Sequence, residues 1–244
     1  GIRDTSVTGV QTCALPICWW IIDYNRQSLD GIVFEKLFEK IISLFELMDW
    51  NVEILKYGSK LQKLKQSKSG RKILKWIDDC PNDLFSALTY QGGKDWRKTL
   101  LEVFGNDQDT VNLIQSFNDQ ELNGLMTNLA GHDMESLERA FSKYTNIDKP
   151  TCFICYTVKG FGLPLAGHKD NHSGIMNNNQ FNEYKKLMKI RDGQEWNKTE
   201  GIELNINELN SIIKSNPLSK CNREFSEVIP IKPLKEITFN KFIS

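Results

Sequence analysis

The segment Thr151–Val158, T-C-F-I-C-Y-T-V, constrains the fold more than any other part of the chain. It is nearly continuously apolar and rich in residues that favour strands. A strand with one wet face alternates apolar and polar residues. A continuous run is expected where both faces are covered, as in the centre of a parallel sheet with helices on either side. Two further strands are predicted. Trp19-Trp20-Ile21-Ile22 is a short apolar run ending in Asp23-Tyr24-Asn25, and Asn51–Lys56 follows the turn at Asp49-Trp50. Between them Phe34, Leu37, Phe38, Ile41, Phe45 and Met48 recur at helical spacing, with Glu35, Lys36, Glu39, Ser43 and Glu46 on the other face. Strand, helix and strand in sequence form a βαβ unit, so the sheet should be parallel and its crossover right-handed.

Residues 59–129 carry no strand signal. Helical segments are expected around Ile73–Ile77, Asp83–Leu88, Trp96–Phe104 and Glu121–Leu129, with breaks at Ser69-Gly70, Cys80-Pro81 and Gly92-Gly93. The fold class is therefore α/β: a partial parallel sheet with a helical insertion. Gly131-His132-Asp133 then opens a helix, with Asp133 as its N-cap and Leu137, Ala140, Phe141 and Tyr144 as its apolar stripe. Beyond Ile190 periodicity fades, and Pro217, Pro230 and Pro233 mark a linker.

Composition excludes several function classes. Lys+Arg and Asp+Glu number 31 each, so charge points to neither nucleic acid nor an acidic membrane surface. The basic stretch Lys60, Lys63, Lys65, Lys68, Arg71 and Lys72 has no interleaved aromatics and reads as a solvated helix face. No run approaches the length of a membrane span. Six cysteines without an even framework fit a reducing, cytoplasmic compartment. The C-x-x-C of Cys152 and Cys155 lies on the central strand, where that spacing points the two side chains to opposite faces, so two core thiols are expected. Val7–Ile17, V-T-G-V-Q-T-C-A-L-P-I, resembles the translation of a common sequencing adaptor and has none of the features of a signal peptide. On that reading residues 1–18 are non-native, residues 19–190 form the domain, and residues 191–244 lead toward a second domain.

Ligands of open parallel sheets bind outside the carboxyl ends of the strands, and both conspicuous polar clusters lie there. One is Asp23-Tyr24-Asn25-Arg26-Gln27-Ser28-Leu29-Asp30-Gly31. An Asn side-chain oxygen and a free loop carbonyl are hard oxygen ligands of the kind Mg²⁺ accepts. The other is Thr157-Val158-Lys159-Gly160-Phe161-Gly162, followed by Gly167-His168-Lys169-Asp170-Asn171-His172-Ser173-Gly174. Its glycines permit positive φ, and its lysine and histidines supply a cation and proton carriers. Polar loops after strands also occur without function. Asn25 has the alternative of shaping a turn, His132 reads as structural, and His168 is ambiguous between loop support and phosphate contact.

With those residues in view, Trp19 to about Met176 resembles the thiamine diphosphate-binding domain of the transketolase superfamily, and within it the homodimeric pyruvate dehydrogenase E1 type. The resemblance rests on I-I-D-Y-N-R-Q-S-L-D-G, A-G-H-D at Ala130–Asp133 and T-V-K-G-F-G at Thr157–Gly162. It implies that Asn25 gives its side-chain oxygen, and Gln27 its backbone carbonyl, to a Mg²⁺ that bridges to the diphosphate. It implies further that Lys159 faces cofactor and substrate and that His172 takes part in proton transfer. The reaction implied is decarboxylation of pyruvate or a similar 2-oxoacid, with the acyl group passed to a lipoyl-bearing E2 protein. The parent would be a homodimer, binding neither nucleic acid nor membrane. The G-D-G half of the family motif, with its metal-ligating Asp, is missing, as is the second domain with its activating glutamate. The chain is therefore expected to be truncated at both ends and inactive alone. The loop after Gly162 departs from the E1 pattern, which leaves the substrate open. Two alternatives remain: a transketolase moving two-carbon units between sugar phosphates, or a non-catalytic module that kept the fold.

Overall fold

The computed structural model describes residues 18–28, 31–32 and 37–216. The adaptor-like stretch through Ile17, the predicted helix start at Phe34 and the prolines from Pro217 onward lie outside the described residues. In chain order the elements begin with β1 (Trp19–Tyr24), the short hairpin strands β2 (Gln27–Ser28) and β3 (Gly31–Ile32), α1 (Leu37–Leu47) and β4 (Asn51–Leu55). Six helices follow: α2 (Ser59–Leu64), α3 (Lys68–Asp79), α4 (Asn82–Gln91), α5 (Gly93–Phe104), α6 (Gln108–Gln115) and α7 (Asp119–Met126). After a 3-10 turn at Ala130–His132 come α8 (Met134–Tyr144), β5 (Thr151–Tyr156), a second 3-10 turn at Lys169–His172, α9 (Asn178–Leu187) and α10 (Ile206–Ser215).

The main sheet has the order β1-β5-β4, and both ladders are parallel. The strand that closes the sequence pattern thus inserts between the two that open it. Every residue of β5 is buried, the outcome expected of a run without polar alternation. Its side chains feed two cores. Phe153 meets Trp19, Phe141 and Tyr144 at ring distances of 5.0–5.5 Å, so α8 covers that face. Cys152, Ile154 and Tyr156 point the other way, into the larger core shared with α1 and the helical insertion. Tyr24 and Tyr156 pack at 4.8 Å, with Phe38 of α1 within 6 Å of both. The thiols of Cys152 and Cys155 accordingly fall in different cores, and burial pushes them up to about 12 and about 11.

The predicted helices of the insertion are present, joined by two that the periodicity does not reveal, α2 and α6. The expected break at Ser69-Gly70 is overturned. Ser67 caps α3 by accepting the Gly70 N–H at 2.9 Å, and Gly70 lies inside the first turn, its backbone against the Leu64 carbonyl. Gly92 does separate α4 from α5, with φ +90°.

The chain divides into two compact units at Tyr184/Lys185. Within the second, Arg191 binds both carboxylate oxygens of Glu200 at 2.5 and 3.0 Å, and Lys185 bridges Asp192 and Glu195. These pairs are on the surface and add little stability each. Among the described residues no helix is long and apolar enough to cross a membrane.

Candidate functional site at the carboxyl ends of β1 and β5

Tyr24 and Tyr156 are partners in the β1–β5 ladder, so residues 25–27 and 157–159 leave the sheet side by side. The Asn25 side-chain oxygen accepts the Gln27 N–H at 3.0 Å, an Asx turn. Arg26, at its corner, takes φ +64°. Its buried guanidinium lies over the Phe85 ring, 4.2 Å from the centroid, and donates to the Cys80 carbonyl at 3.5 Å. Gln27 is buried too. Its Nε2 donates to the Gly167 carbonyl at 3.0 Å, while its Oε1 has no partner among the described residues. The Thr157 hydroxyl donates to the Asp23 carboxylate, tying the two strand ends together.

Asn25, Gln27 and Lys159 all line one gap, with Thr157, Phe85 and Gly167 around it. Its volume is about 10 Å³. That is room for about one water. The structure thus brings these three residues, singled out in the sequence, to one place. His172 is not among the lining residues; it is exposed in the Lys169–His172 turn.

The loop after β5 folds back on itself. Asn171 donates both amide hydrogens, to the carbonyls of Lys159 at 2.7 Å and Leu165 at 2.8 Å. Gly160 and Gly162 adopt φ +71° and +80°, the conformations expected of them. The His168 ring packs against Tyr90 with 4.5 Å between centroids and the planes tilted by 58°, and its Nδ1 accepts the Asp170 N–H at 3.1 Å. The His168 side chain is therefore engaged within its own loop and against α4.

The A-G-H-D segment borders the same loop. The His132 Nε2 accepts the Val158 N–H at 2.8 Å, and its ring stacks on Phe161 at 3.9 Å and 12°. Burial holds the imidazole below its usual range, with the Asp23 carboxylate acting in the opposite sense. Asp133 caps α8 through the Ser136 N–H at 2.9 Å and also accepts from the Ser59 N–H and hydroxyl. Burial alone would raise its pKa. The hydrogen bonds from Ser59 and Ser136 outweigh burial and hold the carboxyl well below the usual range.

Two grooves flank the strand ends. One of about 640 Å³ runs past Phe161, Gly162, Tyr90 and Asn123. Another of about 760 Å³ lies beside β4, where Lys56 pairs with Asp78 at 2.5 Å and Tyr57 also donates to Asp78. Among the described residues no cluster of three or more His, Cys, Asp or Glu side chains is disposed to hold a metal. The sequence reading missed the Gln27 side chain, Asn171 and the His132 acceptor. Only the last had a signal, the A-G-H-D match itself.

No protein-family profile matches the chain. Among curated proteins it is similar to the pyruvate dehydrogenase E1 component of Buchnera aphidicola subsp. Schizaphis graminum, 31% identical over 156 residues. It is similar to the protein of the same name from Escherichia coli K12, 26% identical over 155 residues. Each alignment covers 62% of this chain and 17% of the relative, so the chain spans only a small part of the proteins it matches. For the Corynebacterium glutamicum protein the identity is 24% over 147 residues, 59% of this chain and 15% of the relative.

Proposed function

We propose that the chain is part of the cofactor-holding domain of a thiamine diphosphate-dependent 2-oxoacid dehydrogenase E1 protein. Its substrate is pyruvate or a similar 2-oxoacid, and a lipoyl-bearing E2 protein receives the acyl group. The observation that carries this reading is the convergence of Asn25, Gln27 and Lys159 on one gap at the carboxyl ends of two parallel strands. The name shared by the similar proteins favours it over a sugar transketolase. The homodimeric parent and the cytoplasmic location belong to the same reading.

The residues present suit part of the group. The Asn25 side-chain oxygen spends one lone pair on the Gln27 N–H and keeps a second for Mg²⁺. The Gln27 backbone carbonyl is the second oxygen, and Lys159 supplies positive charge toward a diphosphate. Among the described residues no carboxylate lines the gap itself; the nearby Asp23 carboxylate accepts from the Thr157 hydroxyl at its edge. The gap is also too small for a diphosphate, so the loop ends must part to admit one. When bound, thiamine diphosphate supplies the electron sink for loss of CO₂ from a 2-oxoacid. The protein's share is to hold Mg²⁺ through Asn25 and Gln27, to set charge through Lys159, and to move a proton at His172.

Chemical-shift mapping on the 244-residue chain tests this at weak affinity. With Mg²⁺ present, millimolar thiamine diphosphate should shift the amides of residues 25–27 and 158–162. Both Mg²⁺ omission and Asn25→Ala should suppress the effect. Shifts that ignore Mg²⁺ and Asn25→Ala, or none at all, would overturn the assignment.

A further inference from the structure

We infer that His132 is a positioning residue, whose imidazole fixes both ends of the Val158–Phe161 tetrapeptide and so sets where Lys159 stands. The ladder explains why a side-chain acceptor is needed. The Thr157 N–H is taken by the Tyr24 carbonyl at 3.1 Å, on the β1 side. Alternation turns the next N–H, that of Val158, toward the other side, past the end of β4 at Leu55. Val158 is buried, so an unpaired N–H there is costly. The Ala130–His132 turn occupies that place, held by the Ala130 N–H on the Lys56 carbonyl at 3.1 Å.

Gly131 makes the approach possible. A Cβ there would lie 2.7 Å from the Tyr156 carbonyl oxygen and 2.5 Å from the Thr157 methyl. With no side chain in the way, His132 Nε2 reaches the Val158 N–H at 2.8 Å while its ring face covers Phe161. Lys159 and Gly160 are bracketed between those contacts. Accepting at Nε2 requires a lone pair, so the ring is neutral with its proton on Nδ1. Among the described residues Asp23 of β1 is the charged group acting on the ring, and neighbouring Asp133 is engaged with Ser59 and Ser136. The bracket itself needs no cofactor. That it presents Lys159 to one rests on the function proposed above.

The test uses the unliganded 244-residue chain, so its failure and the failure of that reading are separable. Nitrogen-15 shifts of the His132 ring should identify Nε2 as the unprotonated nitrogen at neutral pH; an Nε2–H tautomer would overturn the inference without any variant. His132→Leu should speed amide exchange at Val158 about tenfold or more. His132→Gln, which keeps an acceptor that does not titrate, should restore protection. In wild type that protection should fall on acidification beyond the intrinsic change, and in His132→Gln it should not. Unchanged exchange in His132→Leu, or an equal rise in both variants, would show that no acceptor at this position holds the loop.

Discussion

Gln27 and Gly167, separated by 140 residues, are joined by a 3.0 Å hydrogen bond from the glutamine Nε2 to the glycine carbonyl. This bond ties the turn after β1 to the loop that follows β5. Gly167 has φ +77°, and a Cβ there would meet the Ser86 carbonyl oxygen at 2.7 Å and the Thr89 Cβ at 2.9 Å. Gly167→Ala should therefore lower the unfolding free energy by about 2 kcal/mol or more, through backbone strain together with the clash on α4. Urea denaturation of the two proteins checks it.

Gln27→Ala removes a buried side chain that also carries an unpartnered oxygen, so its effect on stability should be small, about 1 kcal/mol or less. Its larger effect should be local. Amide exchange in residues 165–169 should speed up while β5 keeps its protection, as hydrogen-exchange mass spectrometry would record.

Asp133 joins the cap of α8 to the start of α2. Asp133→Ala should cost about 2 kcal/mol, from a lost N-cap and stranded Ser59 donors. Because the folded state holds this carboxyl below its ordinary 3.8, its contribution is present above that pH and is lost as pH falls below it. The urea midpoint of wild type should drop between about pH 5 and about pH 3 by more than that of Asp133→Asn.

Cys152 and Cys155, pushed up to about 12 and about 11 by burial, should resist alkylation in the native chain at mildly alkaline pH. Both should label in urea. Iodoacetamide footprinting by mass spectrometry distinguishes the two states; rapid native labelling of either thiol would contradict the double-sided burial of β5.

Phe153 is fully buried against three aromatic rings, and Phe153→Ala should cost about 3–5 kcal/mol. Phe153→Leu, closer in volume, should cost markedly less in the same denaturation experiment.

β5 was legible in the sequence because its burial on both faces removes polar alternation. The parallel sense followed from the helix between β1 and β4. That β5 enters between them was not legible, since no local pattern encodes which edge a later strand joins. α6 escaped because Q-D-T-V-N-L-I-Q buries only Thr110 and Ile114, too few to mark a stripe. Gly70 misled because glycine signals both helix ends and close contacts, and here it serves the contact with Leu64. Of the residues that line the gap, Asn25, Gln27 and Lys159 stood out in the sequence by motif and strand end. The Gln27 side chain could not, because its partner is a backbone carbonyl that leaves no trace in residue type.

The order β1-β5-β4 also has a kinetic meaning. Its ladders pair Trp19 and Asn51 with Thr151, about 130 and about 100 residues downstream, whereas α2 to α7 pack largely on near neighbours. Folding should then form the helical insertion early and wait on the arrival of β5, since loop closure precedes any reward from the ladders. Until β5 docks, β1 and β4 expose bare backbone to other chains. Refolding yield should fall as protein concentration rises, and a soluble peptide spanning Thr151–Val158 should depress it further by taking the central place first.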